Sequence, residues 1–383
     1  MRLSHRRRTT TGMIALVLTL FLVACGGSTS TTISGSPIST EVRPASLLLT
    51  PPATPGPIIF PRDDGPHADL TEWWYYTGHL ATHDGRHFGF EFVIFQGKRA
   101  GFPATYAAHF AITDIASGSF HYDQRTQSGG PPNPTTVIDL AVGDWSIRGD
   151  GSQDHISATM PGYTLSLDVV SQKPPVLHGG DGYFDWAPAT ASYYYSRTDM
   201  AATGTLAVNG ATLNVNGQAW MDHQWGNFLL IGGGGWDWYS IQLNDGQEFM
   251  LWHSRDAKNQ ITFGSGTLVD NDGTAYPLAQ TDFTITPAGS WTSPTSVITY
   301  PSGWQIDIPK LNLKLTLNAV LKDQELDTSS STGVIYWEGD VQVKGSQNGN
   351  SVTGQGYVEL TGYTQNVDLR PQLPTESANP SMD

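Results

Sequence analysis

From about residue 70 to residue 362 the chain is built of short runs in which apolar and polar side chains alternate. Leu313, Leu315 and Leu317, for example, are separated by Lys314 and Thr316. A period of two puts alternate side chains on opposite faces of an extended strand. The pattern predicts strands at 73–81, 87–96, 105–115, 118–124, 154–160, 163–170, 192–198, 203–208 and 211–222. It resumes at 236–244, 247–255, 262–270, 282–287, 303–308, 311–321, 333–345 and 351–362. Asp84-Gly85, Asn209-Gly210, Asp245-Gly246 and Asp272-Gly273 fall between strands, as tight antiparallel hairpins require. The 42 glycines and 24 prolines suit many turns and bends. No helical period runs beyond two turns, which argues against a Rossmann or TIM fold. The expectation is an all-β protein of barrels or sandwiches.

One stretch breaks the alternation. Residues 67–80 read HADLTEWWYYTGHL. Trp73 and Tyr75 fall on one face of a strand, Trp74 and Tyr76 on the other, so both faces need cover. A barrel interior with a neighbouring domain would supply it, and so would a ligand. The pattern returns in WDWYSIQL at 236–243: Trp73, Tyr76, Thr77, His79 and Leu80 match Trp236, Tyr239, Ser240, Gln242 and Leu243, 163 positions on. Each stretch then runs to an Asp-Gly turn and a Phe three residues past the Gly. We read a duplicated unit, with domains at 58–230 and 231–372 and a disordered tail at 373–383.

Residues 1–25 are expected to be a targeting segment. Arg2, Arg6, Arg7 and Arg8 precede an apolar run at 13–24, too short for a permanent membrane span. The run ends Leu22-Val23-Ala24-Cys25-Gly26, which resembles a bacterial lipobox, with cleavage before Cys25 and lipidation of its thiol. Residues 26–57, rich in Ser, Thr and Pro, would be a flexible tether. Cys25 is the only cysteine, so no intrachain disulfide forms. The implied location is the bacterial cell envelope, outside the cytoplasm, with the membrane as a partner through Cys25. The formal net charge of −15 falls further once four arginines leave with the signal. That balance argues against nucleic acid as a partner.

Candidate chemistry concentrates in Asp222-His223-Gln224-Trp225-Gly226-Asn227. On a strand, Asp222 and Gln224 point one way, His223 and Trp225 the other. HADLTEWWYYTGHL (67–80), WMDHQWGNF (220–228) and GWDWYSIQLNDGQEFMLWHSRD (235–256) together resemble the family of AttH-type proteins and bacterial carotenoid 1,2-hydratases. The resemblance covers roughly residues 58–370. It implies two tandem lipocalin-like antiparallel β-barrels, and some fungal pericyclases are similar in fold, with their pocket between the barrels. It also implies a functional His-x-Trp at His223 and Trp225. The family's acid would fall on the strand at 249–256, where this chain has none before Asp256. Hydration of an isoprenoid double bond needs an acid to protonate the alkene, π faces to stabilise the cation and a directed water.

The candidate catalytic residues are therefore Asp222, His223 and Glu72. The candidate walls are Trp74, Tyr76, Trp225, Trp238 and Trp252, placed where the first domain ends and the second begins. His109 and His121 read as ordinary strand positions. A metal site would draw on His67, Asp69, His223 and His253, but no paired-His spacing supports one. GxSxG, GxGxxG and Walker patterns are absent, so neither a serine hydrolase nor a nucleotide cofactor is expected, and no cofactor is assigned. Two classes remain: an acid–base enzyme acting on a hydrophobic small molecule, or an envelope protein that carries one. For the anchor, Cys25→Ser should move the protein from the membrane to the soluble fraction; a variant that still sediments with membranes as fully as the natural chain removes the lipobox reading.

Overall fold

The structure, a computed structural model, describes residues 56–99, 101–129, 137–187, 190–228 and 234–363. The lipobox cysteine, nearly all of the tether and the C-terminal tail lie outside these residues. Two antiparallel sheets carry the described chain. The first contains β1 (Thr71–Thr82), β2 (His87–Gly97), β3 (Thr105–Asp114), β4 (Ser119–Ser128), β5 (Ile138–Val142), β6 (Trp145–Gly149), β7 (Gln153–Met160), β8 (Tyr163–Ser171), β9 (Val176–Leu177), β10 (Tyr183–Ala187), β11 (Thr190–Val208) and β12 (Ala211–Gly226). The second contains β13 (Gly235–Leu243), β14 (Glu248–Arg255), β15 (Ile261–Val269), β16 (Ala275–Ala279), β17 (Thr284–Pro287), β20 (Gly303–Ile308), β21 (Leu313–Ala319), β22 (Glu325–Asp327), β23 (Ile335–Gln347) and β24 (Asn350–Leu360). A small hairpin, β18 (Ser290–Thr292) with β19 (Thr299–Pro301), stands apart. Among the described residues the only helical elements are single 3-10 turns.

The two sheets share one wiring. The path β2-β1-β12-β11-β8-β7 in the first corresponds to β14-β13-β24-β23-β21-β20 in the second. The first sheet curls until its edge strands β4 and β5 come into contact, which nearly closes a barrel. Each sheet wraps its own core. Trp74, Tyr76, Phe90, Phe92 and Trp145 fill the first, and Tyr239, Ile241, Trp304 and Trp337 the second. Burying an aromatic of this size is worth about 1.5–3 kcal/mol each, which is what closes sheets this strongly curved.

Several boundaries differ from the alternation. The strands expected at 192–198 and 203–208 are one strand, β11, because a bulge between Arg197 and Met200 shifts the register without ending the pairing. Strands β5 and β6 were not expected: at five residues each, they are too short for a period to register.

The outer faces of the two sheets meet. β2 packs on β23, β1 on β24 and β11 on β13, all within the compact unit Thr54–Asp383. The approach is close at Gly89, where a Cβ would stand 2.5 Å from the Tyr357 hydroxyl and 2.9 Å from the Asp340 Cβ. Polar clamps hold the contact. Lys173 Nζ bonds Glu248 Oε1 at 2.8 Å, and Gln242 Nε2 donates to the Thr198 carbonyl at 2.7 Å. A third apolar cluster lies in this seam, made of Phe184, Tyr194, Trp220, Trp238, Met250 and Tyr357, with Trp236, Trp252 and Phe263 packed against it.

Candidate functional site

Pairing of β1 with β12 sets Trp74 opposite His223, Glu72 opposite Trp225 and Tyr75 opposite Asp222. The period of two then sorts them. Glu72, Trp74, Tyr76, His223 and Trp225 face the interior of the first sheet, whereas Tyr75 and Asp222 face the seam. Trp238 lies in the seam and Trp252 against it. The eight residues expected to share one site therefore occupy two, with the sheet's backbone between them.

The inner centre is a hydrogen-bonded chain. Glu72 Oε1 accepts from His67 Nδ1 at 2.7 Å and from His223 Nε2 at 2.8 Å. Its Oε2 accepts the His67 backbone N–H at 2.8 Å and Gln96 Nε2 at 2.9 Å. His223 Nδ1 faces the Tyr195 hydroxyl at 3.2 Å, and that hydroxyl donates to Asp64 Oδ1 at 2.6 Å, beside Arg197. Trp74 stacks on His223 with ring centres 4.7 Å apart, and Trp225 stacks on His67 at 4.0 Å. Burial pushes the Glu72 carboxyl up, but hydrogen bonds from His223 and His67 outweigh it and hold it below its ordinary value. Burial pushes His223 down to about 4. The pair is thus a carboxylate and a neutral imidazole near pH 7.

His67, Glu72 and His223 each offer one ligand atom, and the three lie within 4.8 Å of one another, the one group among the described residues that could hold a metal ion. Of the residues weighed for a metal from the sequence, only His67 and His223 come together. Asp69 accepts from Asn227 Nδ2 at 2.9 Å, and His253 stacks on Phe283 in the second sheet.

The seam holds the other centre. Asp222 accepts from the Ser196 hydroxyl, from Tyr194 at 2.7 Å and from Trp220 Nε1 at 2.6 Å. Trp238 Nε1 donates to the Tyr194 hydroxyl at 3.0 Å, and His178 Nε2 lies 2.6 Å from Ser196 Oγ. Burial raises Asp222 to about 6 against these three donors. Near pH 7 it is mainly a carboxylate, and so a proton acceptor.

Three glutamates missed by the sequence reading complete the seam. Glu91, from β2, accepts from Tyr336 at 2.8 Å, and His109 Nδ1 lies 2.8 Å from the same hydroxyl. His109 is therefore a seam residue, while His121 sits exposed beside Ser119 as an ordinary strand position. Glu338, from β23, accepts from Tyr75. Its cross-strand neighbour Glu359 accepts from Trp236 Nε1 at 2.7 Å. Burial pushes Glu91 up to about 8 and Glu359 to about 7. Burial, with the charges of Glu91 and Glu359, holds Glu338 well above its ordinary value. Glu359, Trp236, Trp252 and Phe263 remain partly exposed, so solvent reaches this end of the seam. The available signal was acid set among apolar residues, a single Glu in FGFEFVIF at 88–95 and Glu338 with Asp340 in YWEGDV at 336–341.

The sequence matches the AttH-like family over residues 51–363. The chain belongs to the AttH-like family. Among solved structures, this AttH-like chain is similar to an AttH protein from Nitrosomonas europaea, with 29% identity and a TM-score of 0.75, over 82% of this chain and 100% of that one. It is similar in fold to kievitone hydratase from Nectria haematococca, at 20% identity and a TM-score of 0.68, over 80% of this chain and 94% of the other. CghA, solved with Sch210972, shares 16% identity and a TM-score of 0.50 over 76% of this chain and 89% of its own. No curated protein matches the chain.

The seam carboxyls set a pH dependence. Asp222, Glu91 and Glu359 all have folded-state values above their unfolded ones. The unfolded state releases these protons near pH 4 and the folded state only near 6 to 8, so their contribution is full below about pH 4, falls as pH rises from there and is lost once pH passes about 8. Glu72 acts oppositely, with stability lost only on strong acidification. The melting temperature should fall between about pH 5.5 and 8.5, and Glu91→Gln should flatten the slope. A melting temperature that rises over this interval would contradict the assignment.

Proposed function

We propose that this AttH-like protein is a cofactor-independent acid–base enzyme that adds water to, isomerises or cyclises a hydrophobic, isoprenoid-like small molecule in the seam between its two sheets. The observation that carries the reading is that two carboxyls, Glu359 bonded to Trp236 at the open end and Asp222 bonded to Tyr194 and Trp220 further in, are set in one aromatic layer, where burial raises both. Two carboxyls pushed to different values supply an acid and a base at one pH. Glu359 gives its proton to an alkene carbon, so a C–H bond forms, the π bond breaks and a tertiary cation remains. The faces of Trp236 and Trp238 stabilise that cation. Water forms the new C–O bond while Asp222 takes its proton, which returns to Glu359 through solvent. Isomerisation or cyclisation follows the same path, with Asp222 removing a carbon-bound proton instead. Kievitone hydratase, whose name assigns it a hydration, shares the fold; the choice of reaction for this chain rests on the residues above.

In this reading Glu72, His223, Trp74, Tyr76 and Trp225 form the polar plug and core of the first barrel. We place the protein at the cell envelope, held through Cys25. The test begins with native extraction of the bound molecule and its identification by mass spectrometry, followed by turnover assays on that compound. Asp222→Asn and Glu359→Gln should each lower kcat at least a hundredfold, the usual scale for losing a general acid or base, with the fold intact by circular dichroism. Turnover that survives both changes but is lost in a folded His223→Gln variant would move the site into the first barrel. A bound ligand that is never turned over would make the protein a carrier.

A further inference from the structure

Glu91 and Glu338 have no part in the proton transfers above, yet both are buried in the seam with a carboxyl oxygen that nothing satisfies. Tyr336 and Asp340 flank Glu338 on one face of β23. Tyr336 bonds Glu91, and Asp340 lies against Gly89, two residues before Glu91 on β2. These two contacts bracket Glu338 beside Glu91 across the seam. In each carboxyl one oxygen is taken by a tyrosine O–H: Glu91 Oε1 by Tyr336, Glu338 Oε2 by Tyr75. The other oxygens, Glu91 Oε2 and Glu338 Oε1, are buried without a hydrogen-bond partner. Glu91 is 1% exposed and Glu338 not at all.

The tyrosines fix where an acid proton must sit. An oxygen accepting from a tyrosine is the poorer place for a proton, so each neutral carboxyl carries its O–H on the free oxygen. Two O–H donors, one from each sheet, then point into an aromatic layer without an acceptor. Buried donors of this kind are rarely left unmade. No group among the described residues is hydrogen-bonded to either free oxygen, which leaves a ligand to supply the acceptor.

We propose that Glu91 and Glu338 are a paired acid clamp that binds the oxygen of a carbonyl group on an apolar ligand. A carbonyl oxygen has two lone pairs splayed in one plane and can take one donor from each side. Tyr75, Trp238, Tyr336 and Tyr357 offer the apolar body its surroundings. An anionic ligand is disfavoured by the nearby Asp222 and Glu359, and a cationic one would require both clamp carboxyls to ionise. This inference rests on the reading of the seam as the ligand site, and it adds the substrate class: an unsaturated ketone or aldehyde, anchored at the clamp with its double bond toward Glu359.

The probe is β-ionone, an apolar unsaturated ketone, compared with its alcohol β-ionol and with cyclohexylamine, on the full-length protein near neutral pH. Affinity is read by tryptophan fluorescence, and the ketone stretch of bound β-ionone by infrared difference spectroscopy. Binding of β-ionone with a lowered carbonyl frequency is expected, with β-ionol about tenfold weaker. Glu338→Gln keeps an N–H donor at the free position and should hold affinity within about threefold, whereas Glu338→Leu should lose about tenfold. If Glu338 instead served a cation as a carboxylate, Gln would lose as much as Leu, and cyclohexylamine would outcompete the ketone. That pattern overturns the clamp, as does an unshifted carbonyl stretch or no binding of β-ionone to the natural chain. The carbonyl shift and the Gln result stand without Leu should that variant not fold. Asp222→Asn separates this inference from the proposed reaction: a shift that persists where turnover is absent leaves the clamp in place and removes only the chemistry.

Discussion

Strand β1 buries both of its faces, and the rest of the molecule is arranged to cover them. Its inner side chains, Trp74 and Tyr76, are wholly buried in the first sheet's core. On its outer side Tyr75 reaches Glu338 and lies against Trp238. A strand with aromatics on both sides leaves water no face, so one barrel is not enough and a second sheet must close over the first. The neighbouring β12 obeys the same geometry. Asp222 and His223 are consecutive, and that single step carries the two side chains to opposite sides of the sheet.

The two polar centres so created solve burial differently. Inside the first barrel, Glu72 remains charged because four donors surround it, two of them imidazoles. In the seam, carboxyls from β2, β12, β23 and β24 gather around tyrosine and tryptophan donors. Charge there is costly, so the carboxyls hold their protons to higher pH. One centre is a satisfied plug; the other is a row of acids spread between about 6 and 8. Acid–base chemistry draws on the second kind.

Much of the fold was legible because it rests on local period. Alternation located most of the long strands, and the four aromatics of β1 announced that both faces would be covered. The opposed directions of Asp222 and His223 also followed from a period of two. What the alternation leaves open is which face of a sheet meets a second sheet. Trp74, Tyr76 and Trp225 are as aromatic as Trp238, yet they pack the inner core, and only the pairing of β1 with β12 tells them apart. Glu91, Glu338 and Glu359 were missed for a related reason. Each sits among apolar neighbours on its strand, unremarked in isolation, and Glu91 meets the other two only because strands more than two hundred residues apart are brought together. The three donors that meet Asp222, from Ser196, Tyr194 and Trp220, are likewise set by pairing and packing that no spacing predicts.

The central claim is that the seam keeps glutamic acids protonated at neutral pH. Infrared spectroscopy of the folded protein near pH 7, with glutamate labelled at its side-chain carboxyl carbon, measures this directly. The account predicts an isotope-shifted carbonyl band of neutral carboxylic acid that weakens in Glu91→Gln and in Glu338→Gln and fades as pH rises past about 8. A spectrum in which every labelled glutamate is a carboxylate at pH 7 would contradict it.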